Sequence, residues 1–317
     1  MKKMSLSLGL TAMIMMSLSH ASAQEALSGN CGPDGEHAAD CHWELIENGT
    51  IDGTSGGTTA YQLVISGSGA MKEYVTEATP WHDYIGVISS AVLEGADTSK
   101  GTSGVTSLGY GALFGAGNLK SLTLGDSVQK LSAWSVYGAG QLTELNIGNS
   151  LTTISNVALS RTGLTTVNLP DSLTYILPEA FAGSPITSLT IPDSVTMIGR
   201  NAFALTDSSG YNIPNDNITD LRISASKLAL YLEAKGGLAQ NATLTCTVGD
   251  CVSVLSQWDY DHETSYLQRA RIVHEQADGS KVVYQNGKIH YEGKRIYSIQ
   301  EANSVTGKKN TVMIRYK

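Results

Sequence analysis

The feature that most constrains this chain is an internal repeat. Leu119-Lys-Ser-Leu122-Thr-Leu124, Leu142-Thr-Glu-Leu145-Asn-Ile147, Leu164-Thr-Thr-Val167-Asn-Leu169 and Ile186-Thr-Ser-Leu189-Thr-Ile191 recur at steps of 23, 22 and 22 residues. A fifth copy, Ile218-Thr-Asp-Leu221-Arg-Ile223, follows after 32 residues, the extra ten being a polar insert around 207–216. An incomplete first copy, Ile88-Ser-Ser-Ala91-Val-Leu93, carries a Gly/Ser/Thr-rich insert up to Gly104. Self-similarity at such a period belongs to stacked arrays, in which each unit contacts its sequence neighbours.

Each unit reads as a short strand, a turn and a return segment. Leu145 and Ile147 alternate with Glu144 and Asn146, the pattern of a strand with one buried and one wet face. The turns Gly125-Asp126-Ser127, Gly148-Asn149-Ser150, Pro170-Asp171-Ser172 and Pro192-Asp193-Ser194 use Gly or Pro for the bend and Asp or Asn to cap backbone amides. Val128/Leu131, Leu151/Ile154, Leu173/Ile176 and Val195/Ile198 follow, then the deeper apolar Val136, Leu159, Phe181 and Phe203. One unit cannot bury its own apolar edge, so the units must stack around one continuous core. The expected fold is a repeat solenoid of short parallel strands with irregular return segments.

The run Pro192-Asp-Ser-Val-Thr-Met-Ile-Gly-Arg-Asn-Ala-Phe203 resembles the repeat of the BspA-type leucine-rich-repeat family of bacterial surface proteins. Cys31-Gly, Trp43-Glu-Leu45, Leu63 to Met71, Tyr74 and Pro80-Trp81 resemble the N-terminal cap before such arrays, so the likeness covers about 31–223. It departs from the pattern at Asn156-Val157-Ala158-Leu159, which replaces the usual Ala-Phe ending, and in the two inserts. The resemblance implies a role in adhesion and in host-matrix or cell-cell contact.

The flanks set the compartment. Lys2 and Lys3, an apolar run from about Leu6 to Leu18 and Ala21-Ser22-Ala23 form a signal-peptide pattern, with cleavage expected before Gln24. No later stretch is apolar enough to span a bilayer, so a soluble, exported mature chain is expected. Four cysteines in an exported chain point to local staples, Cys31 with Cys41 and Cys246 with Cys251, over a metal site with His37 and His42. Without residues 1–23 the net charge is −10, unevenly placed: −16 over 24–263 and +6 over 264–317. The domains expected are a signal peptide at 1–23, a β-rich cap at 24–87, the leucine-rich-repeat solenoid at 88–223, a helical and disulfide cap at 224–256, and a small basic α+β module at 257–317. In the helical cap, Ser226 to Lys235 should close the open end of the solenoid, and Leu244 to Val248 should be a strand. In the module, alternating runs at Tyr266 to His274, Lys281 to Tyr284, Lys288 to Tyr291 and Arg295 to Tyr297 read as strands. Asp278-Gly279 and Asn286-Gly287 mark hairpin turns, Ser298 opens a short helix, and Thr311 to Tyr316 is a last strand.

Catalytic chemistry is thin in this sequence. No histidine lies between Asp83 and Asp261, and Ser127, Ser150, Ser172 and Ser194 recur at the repeat period as turn residues. Ser66-Gly67-Ser68-Gly69 reads as a tight turn and Trp258 to Glu263 as a solvated linker. No cofactor, metal or nucleic acid is implied. The expected function is a secreted or surface binding protein recognising a protein or glycan. Its candidate residues lie on the concave strand face: Ser121, Thr123, Glu144, Asn146, Thr166, Asn168, Ser188, Thr190, Asp220 and Arg222. A second candidate row is Lys130, Thr153, Tyr175 and Met197, flanked by Trp134 and Tyr137. Arg269, Arg271, Lys281, Lys288, Lys294, Arg295, Lys308, Lys309, Arg315 and Lys317 suggest contact with an anionic envelope surface. The alternative function is an envelope enzyme or accessory with its activity in the C-terminal module, around His262, His274 or His290. Because each unit is covered by the next, a chain ended after Gly183 should expose a core edge and aggregate. A soluble fragment that melts cooperatively would contradict the stacking.

Overall fold

The computed structural model describes residues 27–51, 56–75 and 79–292. The leader at 1–23 and the elements expected at 295–297, from Ser298 and at 311–316 lie outside them.

The described residues begin with a three-stranded antiparallel cap of β1 (Ser28–Asn30), β2 (Cys41–Thr50) and β3 (Thr59–Ala70). The Cys31–Cys41 disulfide ties its end, and Trp81 packs edge-on against Trp43 and Tyr74 at 5.8 Å each. Ser66 to Gly69, expected as a turn, instead bends β3 without ending it. Gly67 makes the bend possible: its φ is 111°, and a Cβ there would lie 2.1 Å from the Asp40 carbonyl oxygen. The two halves of β3 therefore enter different sheets, pairing in parallel with β4 (Ile88–Leu93) and with β5 (Gly104–Leu108).

From there the coils repeat. Each contributes a longer strand and a two-residue return strand: β6 (Ser121–Leu124) and β7 (Lys130–Leu131), β8 (Glu144–Ile147) and β9 (Thr153–Ile154), β10 (Thr166–Asn168) and β11 (Tyr175–Ile176), β12 (Ser188–Thr190) and β13 (Met197–Ile198). Each return segment therefore holds a short strand, and β5, β7, β9, β11 and β13 form a second parallel sheet. Two residues are too few for alternation to be visible in the sequence. The 207–216 insert is a small hairpin of β14 (Leu205–Thr206) and β15 (Asn212–Ile213), after which β16 (Asp220–Ile223) rejoins the long-strand sheet.

Coils are also hydrogen-bonded on a third side. Trp134 and Val136 N–H donate to Asn156 and Ala158 carbonyls at 3.2 and 2.9 Å, and Glu179 and Phe181 N–H to those of Arg200 and Ala202 at 3.1 and 2.8 Å. This ladder requires a left-handed residue once per coil, supplied by Gly111, Trp134, Val157, Glu179 and Asn201, with φ between 58° and 64°. Inside, Val136, Leu159, Phe181 and Phe203 are buried, with the two phenylalanine rings stacked at 5.4 Å.

The long-strand sheet is interrupted once. β4, β6 and β8 are paired, and so are β10, β12 and β16, but β8 and β10 are not. In the first group Gly125 and Gly148 N–H close the ladder on Leu93 and Leu124 carbonyls, each at 2.9 Å. The next turn begins with Pro170, which has no N–H to give Ile147. Pro192 lacks the same donor, but Thr187 and Ser188 N–H both reach Thr165 O and keep β10 and β12 together.

Beyond Ile223 the structure corrects several expectations. Helix α1 (Ala225–Glu233) does not close the solenoid; it occupies the return side of the fifth coil, where Tyr231 lies 5.5 Å from Phe203. β17 (Thr243–Cys246) then pairs in parallel with β16, and the Cys246–Cys251 disulfide leads into α2 (Cys251–His262). The linker expected at Trp258 to Glu263 is therefore mostly helix, and position 257 falls inside it. Tyr266 to Arg269, expected as strand, forms a short helix α3 (Tyr266–Arg269), capped by Asp259, which accepts from Tyr266 and Leu267 N–H. β18 (Arg271–Glu275) pairs in parallel with β17, so the sheet of the repeats runs on into the C-terminal segment. β19 (Lys281–Gln285) and β20 (Lys288–Glu292) follow through the hairpins expected at Asp278-Gly279 and Asn286-Gly287. The insert ties this end down: Asp216 accepts from Tyr266 Oη at 3.0 Å and pairs with Arg269 at 3.2 Å.

Two substitutions test the coil geometry. Ser135 is fully buried with an unpartnered hydroxyl, where the other coils carry Ala112, Ala158, Ala180 and Ala202. Ser135→Ala should stabilise the protein by about 1 kcal/mol. Val157→Asn relieves a β-branched residue of left-handed φ and should contribute about 1 kcal/mol more. A denaturation midpoint that falls in either variant would contradict this account.

Candidate binding surface

The candidate residues of the strand face come into line because the coils are in register. Ser121 sits opposite Glu144 and Thr123 opposite Asn146; Thr166 sits opposite Ser188 and Ser188 opposite Asp220; Asn168 sits opposite Thr190 and Thr190 opposite Arg222. Two rows of outward side chains result, built from short polar groups on a rigid backbone. The interruption divides them, with Glu144 and Asn146 on one bank and Thr166 and Asn168 on the other, all four exposed. At the divide Leu145 and Ile147 are only half-buried, whereas Leu122, Leu124, Leu189 and Leu221 are fully covered.

Sequence reasoning missed further members of these rows. Ser90 is in register with them on β4, although it is buried and accepts from Asn48 Nδ2 at 3.2 Å, and Thr243 and Thr245 continue them from β17, opposite Asp220 and Arg222. The signal was the alternation in Thr243-Leu-Thr-Cys246, outside the regular period. Arg222 is not free at the far end: it pairs with Glu275 at 3.1 Å, and Lys281 reaches the same carboxylate at 3.3 Å. Hydrogen bonds from Arg222 and Lys281 hold the Glu275 carboxyl below the usual range. Among the four basic residues described after Thr264, Arg269, Arg271 and Lys281 are paired, with Asp216, Glu292 and Glu275.

The second candidate row is also in register, Lys130, Thr153, Tyr175 and Met197 lying side by side across β7 to β13. Tyr175 and Met197 are 45% and 44% exposed, an apolar pair on an otherwise polar edge. Trp134 and Tyr137 turn instead toward Phe114, with centroids 6.1 and 5.2 Å from it.

The histidines named for catalysis do not converge. His262 stacks on Trp258 at 3.8 Å and its Nδ1–H donates to the Trp258 carbonyl at 3.1 Å, while His290 lies exposed on β20. His274, on β18 opposite Cys246, is half-buried, and desolvation pushes its pKa below the ordinary histidine value, with partial opposition from Asp250. Asp250 is committed to capping α2, accepting from Ser253 N and Oγ at 3.1 and 2.6 Å. The groups shifted furthest are tyrosines: burial pushes Tyr74 up to about 12 and raises Tyr231 and Tyr266 further. Among the described residues, no group of three His, Cys, Asp or Glu is placed to hold a metal ion.

Comparison with known proteins places the repeat. Residues 98–221 match the BspA type leucine rich repeat region, in six copies. The match is narrower than the likeness over 31–223 drawn from the motifs, leaving the cap outside it. Repeat regions of this type are typical of surface and interaction proteins. Similar solved structures include a leucine-rich repeat protein from Eubacterium ventriosum, 19% identical, with a TM-score of 0.45 over 61% of this chain and 43% of that one. Another, from Bacteroides ovatus, is 19% identical, with a TM-score of 0.35 over 64% and 48%. The T. pallidum leucine rich repeat protein is 17% identical, with a TM-score of 0.38 over 63% and 82%. The chain spans less than half the length of the first two. No curated protein matches it.

The His274 shift gives a signed expectation. A histidine with a depressed folded pKa contributes stability that is fully present above about 6.5, its unfolded value, and lost as pH falls through the folded one. His274→Gln should therefore flatten the loss of thermal stability on acidification below pH 6.5. Parallel melting curves for the two proteins would contradict it.

Proposed function

Because residues 98–221 are a BspA-type leucine-rich-repeat region, we propose that this protein is an exported or cell-surface binding protein that holds a protein or glycan partner on its long-strand face. The observation that carries the reading is the interruption between β8 and β10. It puts exposed Glu144, Asn146, Thr166 and Asn168 beside half-buried Leu145 and Ile147, a polar rim around a small apolar strip. Extended strand faces of this kind are where solenoids bind. The two disulfides support an oxidising compartment, and the histidines dispersed over α2, β18 and β20 favour binding over catalysis. On this reading the net negative charge of the repeats favours partners that are not strongly acidic on this face.

A photo-crosslinking residue at Asn146 tests the site against one at Asp193, a turn position away from the strand rows. With cell-surface fractions, the Asn146 probe should capture a discrete partner, and Glu144→Ala with Thr166→Ala should reduce capture at least tenfold, or about 1.4 kcal/mol. Equal capture from both positions would rule out the strand face.

A further inference from the structure

The third side of the solenoid carries a feature that neither the repeat nor the strand face requires. Phe114 and Tyr137 occupy the same position in successive coils, where later coils have the small Ser160, Ala182 and Ala204. Their rings stack at 5.2 Å and 15°, and Trp134 leans on Tyr137 at 4.8 Å. All three are half-buried. Arg161 ends the column, its guanidinium 5.6 Å over the Tyr137 ring. Arg161 is exposed and makes no ion pair among the described residues, although the chain around it is acidic.

Two of these residues stand where the backbone disfavours them. Arg161 has φ 55° at a position that Gly115, Gly138 and Gly183 fill in neighbouring coils, and Trp134 has φ 59° at the left-handed position that Gly111, Val157, Glu179 and Asn201 fill in the others. Left-handed backbone suits glycine and asparagine; a tryptophan and an arginine there cost stability and add nothing to the buried core. Gly183 leaves room for the Arg161 stem, since a Cβ on it would come within 3.2 Å of Arg161 Cγ. A strained tryptophan, a strained unpaired arginine and two stacked rings thus share one patch. Strain gathered in this way marks sites kept for contact with something else.

We infer that this aromatic and arginine patch is a binding site for a carboxylated sugar residue. The aromatic surfaces suit the apolar C–H face of a pyranose, and a guanidinium pairs with a carboxylate through two parallel N–H donors. A neutral sugar would leave Arg161 unanswered, and an aliphatic peptide would leave it facing apolar atoms. Sialylated glycans and uronic-acid polysaccharides share this chemistry. The site is separate from the strand face and does not depend on it.

Saturation-transfer NMR on the whole protein with 3′-sialyllactose, with trigalacturonate and with lactose tests the inference and separates the two sources. One or both acidic sugars should receive saturation, and lactose at least tenfold less. Arg161→Gly, which restores the residue of the neighbouring coils, should abolish that transfer while the melting temperature holds or rises. Trp134→Asn should do the same, and Arg161→Gln serves if either fails to fold. Glu144→Ala with Thr166→Ala, on the strand face, should leave sugar binding unchanged. Transfer to neither acidic sugar, equal transfer to lactose, or unchanged binding in both Arg161→Gly and Trp134→Asn would overturn the inference.

Discussion

Everything in this protein depends on the backbone hydrogen bonds between successive coils. A coil of 22 or 23 residues has no interior of its own; its apolar side chains are buried only if the next coil lies directly above. The two strand sheets fix that approach with bonds such as Gly148 N–H to Leu124 O and Ser155 N–H to Leu131 O, running back to the coil before, and Ile191 N–H to Arg222 O, running on to the next, all at 2.9 Å. The third side donates forward, Phe181 N–H to Ala202 O at 2.8 Å. Three ladders around one core leave little freedom to slide or tilt. The core they hold runs without a break from Cys31 in the cap to Ile272 on β18.

What could be read from the sequence follows from which interactions repeat. The long strands were legible because their apolar residues alternate and recur, and the stacking followed from the size of the unit. The cysteine pairs were legible from proximity. The return strands were hidden by their length, and the left-handed ladder because five different residues, Gly111, Trp134, Val157, Glu179 and Asn201, meet one backbone demand. The candidate strand-face residues were found because they alternate with the core; Ser90, Thr243 and Thr245 were missed because their coils break the period.

The C-terminal end was legible only in part, for a related reason. Its change in charge sign suggested a separate module, but charge describes a surface and says little about which backbones pair. β17 and β18 extend the repeat sheet with helices in place of return strands, so the architecture persists after the sequence period ends. Asp216, in what looked like a loop excursion, is held by both Tyr266 and Arg269. A contact across fifty residues between a polar insert and a short helix leaves no local pattern to recognise.

Several departures from regularity lie close together. Trp134 and Val157 on strained backbone, Arg161 where other coils have glycine, the unpartnered Ser135 hydroxyl and the open ladder between β8 and β10 fall between residues 134 and 166, while Glu179 on left-handed backbone and the unpartnered Ser194 hydroxyl lie in later coils. Each costs on the order of 1 kcal/mol, a large fraction of the 5–15 kcal/mol that separates a folded domain from its unfolded chain. A solenoid can carry such a cost locally, because regular coils on either side hold the irregular ones by their own ladders. The same arrangement confines the consequences: relieving strain at position 157 should stabilise its own coil and the two beside it while leaving the cap unchanged. The middle coils are therefore the part of this molecule whose sequence is least explained by folding, and both proposed binding surfaces meet the solvent there.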